Sequence, residues 1–250
     1  MPKTPIHDTN DRPVLFISDL HLDASRPAVI RLFIQFLRQT ASKAQALYIL
    51  GDLFEAWIGD DALRAEDAVI SALRALSATG VALYVMRGNR DFLLGEGFSQ
   101  ATGAALLGDL HRIELDGVVV LMLHGDTLCT DDIEYQRFRA MVRDPRWQAQ
   151  FLAKPAAQRL ADAARAREES AKHNRSVDEA ALDVSPGSVH RILREQGVRH
   201  MIHGHTHRPS VHRFELDGAP AQRIVLGDWY EQGSCLVCER GCWQLQELAL

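Results

Sequence analysis

The stretch YILGDLFE (residues 48–55) decides the predicted fold, because an aliphatic run ends abruptly there in glycine and aspartate. Four other stretches have the same form, an apolar run that leads into a cluster of Gly, Asp, Asn or His: FISDLH (16–21), VMRGNRD (85–91), MLHGD (122–126) and IHGHTH (202–207). This pattern is typical of a buried strand with a polar side chain at its C-terminal end. We therefore predict that five strand ends meet around one site.

Seven potential metal ligands lie in these stretches. They are Asp19, His21, Asp52, Asn89, His124, His205 and His207. Carboxylate, imidazole and amide groups together suit Mn²⁺, Fe or Zn²⁺, and the lack of thiolates argues against a structural zinc site. Asp52 is the predicted bridge, because one carboxylate can bind two cations. Two metals about 3.5–4 Å apart lower the pKa of a shared water and hold phosphoryl oxygens, so the pattern predicts a metal-dependent hydrolase of phosphate esters.

The local geometry of the ligands also follows from spacing. Asp19 and His21 are one residue apart, as are His205 and His207, so an extended backbone would place each pair on one face. Glycines 51, 88, 125 and 204 are expected to let the backbone turn sharply and to keep the site open.

Single histidines and Gly-Asp pairs have simpler explanations, as core residues and turns. The prediction therefore rests on all five clusters together. His203 has two possible interpretations: it supports the ligands from behind, or it is an ordinary packing residue. The other histidines are not assigned to the site: His7, His111, His173, His190, His200 and His212.

Apolar strands alternate with amphipathic helices along the chain. Strands at 14–18, 46–50 and 81–86 are separated by helices at 27–40 and 62–78, which predicts a parallel α/β layer. Further strands are predicted at 111–116, 118–123, 200–204, 210–216, 222–226 and 234–249, the last as a hairpin that turns at 239–241. The chain is predicted to be a single α/β domain (1–250), a sheet-rich sandwich flanked by helices.

Residues 131–185 interrupt this alternation, because they are rich in Ala and Arg and contain no strand-like run. Solvated amphipathic helices are one interpretation. A lid over the strand ends is the other, and the position between the fourth and fifth ligand clusters favours it.

Composition limits the class of protein. With 250 residues and 46% hydrophobic residues the chain can bury one large core, and its net charge of −5 argues against a general nucleic-acid binder. No segment reaches the roughly 18 consecutive apolar residues of a membrane span. Residues 1–13 lack an apolar stretch, so we expect a flexible lead-in rather than a secretory signal, and a cytoplasmic protein.

The cysteines at 235, 238 and 242 superficially resemble a metal-binding run, but no close fourth ligand completes it. The segment alternates like a β-hairpin, with Cys235 and Cys238 on opposite faces. We expect ordinary packing residues, as for Cys129, in a reducing compartment.

The order DxH, GDxxE, GNxD, HGD and GHTH resembles the calcineurin-like metallophosphoesterase superfamily over residues 14–207. Within it, the chain is most similar to the family of UDP-2,3-diacylglucosamine pyrophosphatases of lipid A biosynthesis. That likeness lies in FISDLHLD (16–23), LGDLFEAWIGDD (50–61), RGNRDFLLG (87–95), LHGDTLCTDD (123–132), ALDVSP (181–186) and HGHTHRP (203–209). It implies a four-layer αββα metallophosphoesterase sandwich with a helical cap at 131–185.

The resemblance also implies two Mn²⁺ ions per subunit. Asp19, His21, Asp52 and His207 would hold one ion, and Asp52, Asn89, His124 and His205 the other. The implied reaction splits the diphosphate of UDP-2,3-diacylglucosamine into UMP and 2,3-diacylglucosamine 1-phosphate, by attack of a hydroxide that the metals activate. The implied catalytic residues are Asn89, Arg90, His124 and His205.

Arg90 departs from the phosphatases of the superfamily, which usually have a histidine after the asparagine. Arginine cannot act as a general acid, because its pKa exceeds about 12, but it can neutralise a diphosphate. Implied substrate contacts are Asn89, Arg90, Asp132, Ser170, Asn174 and His205. Where relatives carry a further lysine this chain has Val177, with Lys172 or Arg175 as replacements. Asp91 and Asp126 are expected to orient ligands.

The cap is expected to accept the acyl chains on its apolar inner face. Four arginines are expected on its outer face, where they would approach anionic headgroups: Arg137, Arg139, Arg143 and Arg146. We expect a monomer, peripheral on the cytoplasmic face of the inner membrane. Two alternatives stay open: another hydrolase of the superfamily acting on soluble nucleotides or nucleic acid, and a metal-free scaffold of the same fold.

Overall fold

The computed structural model describes residues 4–5, 12–63, 67–176 and 182–249, which form two six-stranded sheets and seven α-helices. The strands are β1 (Thr4–Pro5), β2 (Val14–Ile17), β3 (Ala46–Leu50), β4 (Ala82–Met86), β5 (Ala105–Leu107), β6 (His111–Leu115), β7 (Val118–Met122), β8 (His200–His203), β9 (Ser210–Leu216), β10 (Ala219–Val225), β11 (Gly233–Glu239) and β12 (Cys242–Leu248). The helices are α1 (Pro27–Gln39), α2 (Ala68–Ala78), α3 (Glu96–Thr102), α4 (Ile133–Val142), α5 (Pro145–Leu152), α6 (Ala156–Ser176) and α7 (Pro186–Gln196).

The first sheet has the strand order β12-β11-β2-β3-β4-β5, and the second has the order β1-β6-β7-β8-β10-β9. Strands β2 to β5 are parallel, as predicted for the alternating N-terminal half. Helices α1, α2 and α3 provide the crossovers that parallel strands require. In the second sheet β7, β8 and β10 are parallel neighbours. Parallel pairing brings the carboxyl ends of β2, β3 and β4 to one edge of their sheet, and those of β7 and β8 to one edge of the other.

Three apolar interfaces separate the layers. Leu15 and Ile17 of β2 face the helices of the first sheet, whereas Val14 and Phe16 face the second sheet, because side chains alternate along a strand. On the outer side of the second sheet, Leu193 of α7 packs in a third buried cluster. The predicted four-layer αββα sandwich is therefore confirmed.

Some element boundaries differ from the prediction. Helix α2 begins at residue 68 rather than 62, because the Asp67 carboxylate caps it by accepting from the amides of Val69 and Ile70. Thr4–Pro5 pairs with β6 where a flexible lead-in was predicted, and the lead-in residues 1–3 and 6–11 lie outside the described residues. The short elements α3 and β5, and helix α7, were not predicted.

Cys129, Cys235 and Cys238 are buried packing residues, as predicted, whereas Cys242 is exposed on β12 and corrects the prediction for that residue. Cys235 packs in the cluster under the helices, and Cys238 packs in the cluster between the sheets, so the two side chains point to opposite faces. All four cysteines are free.

Helices α4, α5 and α6 follow one another in the segment predicted to be a cap. Arg159 of α6 is 1% exposed and donates to the Ile58 carbonyl, which joins this segment to the loop after β3. Within the described ranges, none of the helices combines the length and apolar character needed to cross a membrane.

Candidate metal centre

The seven predicted ligands lie in the loops that follow β2, β3, β4, β7 and β8. Asp19, His21, Asp52 and His124 are almost completely buried, at 0–3% exposure. Buried polar groups need partners, and buried charges need opposite charges or metal ions. The structure thus places the predicted residues where such a partner is required.

The backbone at these residues is not extended, which corrects the extended geometry predicted for the pairs Asp19–His21 and His205–His207. Five of the seven have positive φ angles: Asp19 (55°), His21 (48°), Asp52 (52°), His205 (71°) and His207 (55°). Hydrogen bonds from Asp19 N to the Gly51 carbonyl (3.1 Å) and from His21 N to the Asp52 carbonyl (3.0 Å) hold this conformation. Such residues cost about 1–3 kcal/mol each and concentrate at functional sites.

One group of candidate ligands consists of Asp19, His21 and His207, whose ligand atoms all lie within 4.8 Å of one another. The Nε2 atoms of the two histidines are 3.2 Å apart, and His207 Nε2 is 3.4 Å from Asp19 Oδ1. Asp52 Oδ2 lies 3.8 Å from His21 Nε2. These atoms belong to the four residues that the resemblance assigns to one ion.

The other candidate ligands meet around Asn89. Its Oδ1 lies 2.9 Å from both His124 Nε2 and His205 Nδ1. Asp52 Oδ1 is 3.7 Å from His124 Nε2. The two carboxylate oxygens of Asp52 therefore face different groups, which is the arrangement that a bridging carboxylate requires.

The donor atoms fit divalent cations. Asp19 Oδ1 is buried and has no hydrogen-bond donor among the described residues. The surrounding atoms are carboxylate oxygens and imidazole nitrogens, which Mn²⁺, Fe and Zn²⁺ accept as ligands. The residues present could thus hold metal ions at this place.

Two positions require glycine because the backbone there lies very close to a buried carboxylate. A Cβ atom at Gly88 would collide with Asp52 Oδ1, and a Cβ atom at Gly204 would collide with Asp19 Oδ2. The glycines of GNRD and GHTH therefore let two loops approach the two buried carboxylates.

The buried aspartates and histidines of the site shift one another's pKa values. Burial alone would lower the pKa of His124, but the charges of Asp52 and Asp19 outweigh it and raise that pKa to about 9. Burial and the neighbouring His124 lower the pKa of His205 to about 4. Burial alone would raise the pKa of Asp19, but His207 outweighs it and holds the pKa well below its usual range. The carboxylates and imidazoles coupled in this way are groups that divalent cations accept as ligands.

Asp91 and Asp126, which are expected to orient ligands, contact the backbone of the ligand loops and helix α4, respectively. Asp91 accepts from the backbone amides of Gly88 and Leu53, each at 2.8 Å, and so ties two ligand loops together. Asp126 accepts from Arg139 Nε at 2.6 Å and from the Tyr135 hydroxyl at 3.0 Å, both on α4.

His203 is buried behind the ligands. Its Nδ1 lies 2.8 Å from the Gly204 carbonyl, and its Nε2 lies 3.0 Å from Arg223 Nη1. An arginine can only donate, so Nε2 accepts and Nδ1 carries the proton. The contacts support the loop that carries His205.

A cavity of about 620 Å³ lies beside the site, between the sandwich and helices α4 to α6. Asn89 and Arg90 line it, as does Ser170 from α6. Apolar side chains form much of the remaining wall, including Trp57, Ile58, Phe92, Phe138, Trp147 and Phe151.

Asp132, another predicted substrate contact, is bound within the cap. The Asp132 carboxylate caps α4 through Tyr135 N (2.9 Å), and both its oxygens lie 3.0 Å from His173 Nε2. Asn174 is in α6, but its side chain lies outside the described residues, as does Val177. His173, which the sequence did not assign to the site, lines the cavity.

The predicted outer arginine face is wrong for two of its four members. Arg139 and Arg143 are only 16% exposed and pair with Asp109, at 2.8 and 3.4 Å. Their partners come from a distant part of the chain, so helix composition alone could not reveal their direction. Arg137 and Arg146 are exposed.

Three residues near the ligands were missed. Glu55 Oε2 lies 3.2 Å from His21 Nδ1, Asp228 Oδ2 lies 3.3 Å from His207 Nδ1, and the Tyr230 ring stacks on His21 at 5.2 Å. Glu55 is the last residue of the quoted GDxxE motif. The run RIVLGDW (223–229) repeats the form of an apolar strand ending in Gly-Asp, so a signal for Asp228 was present.

Comparisons with known proteins bear on the family and the fold of this chain. The sequence profile described as calcineurin-like phosphoesterase matches residues 12–209. A Stenotrophomonas maltophilia protein named UDP-2,3-diacylglucosamine hydrolase is 54% identical over 243 residues, covering 94% of this chain and 98% of that protein. A protein of the same name from Chromohalobacter salexigens is 56% identical over 216 residues, covering 86% and 88%. The solved structure of an archaeal phosphodiesterase, 13% identical, covers 95% of this chain and 99% of its own with a TM-score of 0.50, which shows a shared fold.

Proposed function

The chain belongs to the calcineurin-like phosphoesterase family, and from that premise we propose that it hydrolyses the diphosphate bond of UDP-2,3-diacylglucosamine. The products would be UMP and 2,3-diacylglucosamine 1-phosphate. The single observation that carries this choice of substrate is the cavity, which joins the candidate metal centre to an aromatic, apolar wall. The relatives named UDP-2,3-diacylglucosamine hydrolase are more than 50% identical in sequence to this chain over most of its length, which supports the same substrate.

We further propose that two Mn²⁺ ions are the cofactors, one held by Asp19, His21, Asp52 and His207 and one by Asp52, Asn89, His124 and His205. Bound cations of this kind polarise phosphoryl oxygens and lower the pKa of water. The amide of Asn89, beside His124 and His205, would bind a phosphate oxygen. All seven candidate ligands come from one chain, so we propose that the monomer is active.

Arg90 would neutralise the diphosphate. Its side chain is 24% exposed and lines the cavity, with Nη1 4.0 Å from Glu55 Oε1. Its backbone amide donates to Asp52 Oδ1 at 2.8 Å, which fixes the residue beside the proposed bridging carboxylate. A guanidinium next to the reacting phosphates stabilises the negative charge that develops during attack.

Helices α4 to α6 would act as the cap that holds the lipid part of the substrate. Phe92 of the sandwich and Trp147 of α5 lie 6.1 Å apart, and Trp147 stacks on Phe151 at 5.0 Å. Burying acyl chains against such surface contributes about 25 cal/mol per Å². Ser170, which lines the cavity, would contact the polar part of the substrate from the cap, and Asp132 would act there through His173.

The test of the substrate compares UDP-2,3-diacylglucosamine with UDP-N-acetylglucosamine, with UMP release measured for each. We expect hydrolysis of the diacylated substrate and a kcat/KM lower by about 100-fold or more for the soluble one, because it lacks the binding energy of the acyl chains. Equal turnover of the soluble nucleotide would contradict the lipid assignment and would favour a hydrolase of soluble nucleotides.

We also propose peripheral association with anionic membranes through α4 and α5. Ile133, Arg137 and Met141 are exposed and four residues apart, so they share one face of α4. Arg137 and Arg146 would contribute on the order of 1 kcal/mol each near an anionic surface. Liposome flotation tests this with Arg137→Glu/Arg146→Glu against the exposed control Arg191→Glu. Unchanged flotation of the double variant would contradict the proposal.

A further inference from the structure

The imidazole of His207 has a different neighbour on each side. Its Nε2 points into the candidate centre, 3.2 Å from His21 Nε2 and 3.4 Å from Asp19 Oδ1. Its Nδ1 lies 3.3 Å from Asp228 Oδ2. A histidine that binds a metal commonly gives its other N–H to a carboxylate, which fixes the tautomer and the ring orientation.

Asp228 is itself held in place. Its second oxygen, Oδ1, accepts from the Tyr230 amide at 3.0 Å. The next residue, Trp229, is 0% exposed, donates from Nε1 to the Ser234 carbonyl at 3.1 Å, and packs edge-on against Phe33. The carboxylate is thus presented to His207 from a segment anchored in the core.

The same segment reaches the other two members of the ligand group. Trp229 N donates to the Asp19 carbonyl at 3.1 Å, which helps to hold the positive φ angle of Asp19. The Tyr230 ring lies parallel to the His21 ring, at an interplanar angle of 12°. Residues 228–230 therefore contact Asp19, His21 and His207. They lie beyond residues 12–209, to which the family profile is matched.

A histidine of the second group is supported by a neutral partner. His124 Nδ1 lies 2.8 Å from the Leu50 carbonyl oxygen. An imidazole becomes more basic when its second nitrogen faces a carboxylate than when that nitrogen faces a neutral carbonyl. The two proposed cation sites are therefore supported differently.

We propose that Asp228 is a positioning residue for one cation site only. It orients His207 with Nε2 toward the ion that Asp19, His21 and His207 would hold. This inference rests on the proposed two-metal centre, and it does not depend on which phosphate ester is the substrate.

The test is a calorimetric titration of the full chain with Mn²⁺ in the absence of substrate. Bound metal is first removed with EDTA, and the EDTA is then removed. Wild type is expected to bind two ions. Asp228→Asn is expected to weaken one of the two affinities by about 10- to 100-fold and to leave the other unchanged. Glu231→Gln is the matched control, because it removes the same charge from an exposed neighbour in the same loop. Asp228→Glu restores part of the lost affinity.

Electron paramagnetic resonance of the loaded protein provides a second readout. When enough Mn²⁺ is added to fill the tight site and one further equivalent, wild type is expected to show the signal of a coupled pair of ions. Asp228→Asn is expected to show the signal of an isolated Mn²⁺ ion instead. Two unchanged affinities in Asp228→Asn would overturn the proposal, as would an equal loss at both sites or the same loss in Glu231→Gln. Thermal unfolding of each variant shows whether it is folded. Two bound ions without hydrolysis of the lipid would reject the proposed substrate and leave this inference standing.

Discussion

Arg159 and Asp61 form a two-point ion pair between helix α6 and the loop after β3. Arg159 Nη1 lies 2.7 Å from Asp61 Oδ1, and Nη2 contacts Oδ2. Nη1 also contacts the carbonyl of Ile58, a residue of the cavity wall. The neighbouring Asp60 accepts from Trp57 Nε1 at 2.9 Å and from Gly95 N at 3.1 Å. This loop therefore connects the proposed cap to the sandwich.

Breaking the Arg159–Asp61 pair is expected to raise KM for the diacylated substrate more than it lowers kcat, because the cavity wall loses its fixed position. Asp61 is 62% exposed, so solvent screens the pair and a double-mutant cycle in urea is expected to give about 1 kcal/mol. The control is Arg191→Ala, which removes an exposed ion pair with Glu195 on α7, away from the cavity. If KM changed as much in the control as in the Arg159–Asp61 variants, the pair would have no particular role in substrate binding.

Gly88→Ala is expected to abolish most activity by displacing the Asp52 carboxylate, with which the new Cβ would collide. A misplacement of about 1 Å can lower activity about 100-fold. The measurement is kcat together with bound Mn²⁺ per chain. Gly108→Ala is the matched control, because its Cβ would lie 4.0 Å from the nearest atom. Full activity in Gly88→Ala would show that the close approach is dispensable.

Ala166→Leu is expected to narrow the cavity, because Ala166 lies in its wall. Overpacking costs about 1–3 kcal/mol, so kcat/KM for long acyl chains should fall about ten-fold or more, and less for short ones. Ala161→Leu places the same side chain on an exposed position of α6 and should change neither value. An equal effect on all chain lengths would argue against acyl binding in this cavity.

Arg90→Ala is expected to lower kcat about 100-fold, the typical loss when one preorganised donor to developing charge is removed. Arg90→Lys should recover only part of it, since lysine keeps the charge and loses the planar fork. Arg74→Ala, on the exposed side of α2, serves as the control. Undiminished kcat in Arg90→Ala would exclude charge neutralisation by this side chain.

The sequence allowed the site to be predicted because each ligand directly follows an apolar strand. Parallel pairing then brings those strand ends together, and this part depends on local pattern and general topology. The left-handed backbone at Asp19 could not be predicted, since it depends on hydrogen bonds to Gly51 and from Trp229. Tertiary contacts of this kind leave no local pattern.

The cap was harder to interpret for a related reason. The directions of Arg139 and Arg143 depend on Asp109, which is about thirty residues away in sequence. Asp228 is a different case, since VLGD (225–228) has the same form as YILGD (48–52) and could have been assigned to the site. Helix α3 has only seven residues and little periodic pattern, which explains why it was not predicted.

The most direct test of a two-metal hydrolase is the activity of the chelated chain as Mn²⁺ is added back. UMP release from UDP-2,3-diacylglucosamine would be followed against bound ions per chain, with Asp52→Asn as the variant that removes the proposed bridge. We expect no activity after chelation, full activity only when two ions are bound, and none in Asp52→Asn at any Mn²⁺ concentration used. Full activity of the chelated chain, or wild-type activity of Asp52→Asn, would contradict it.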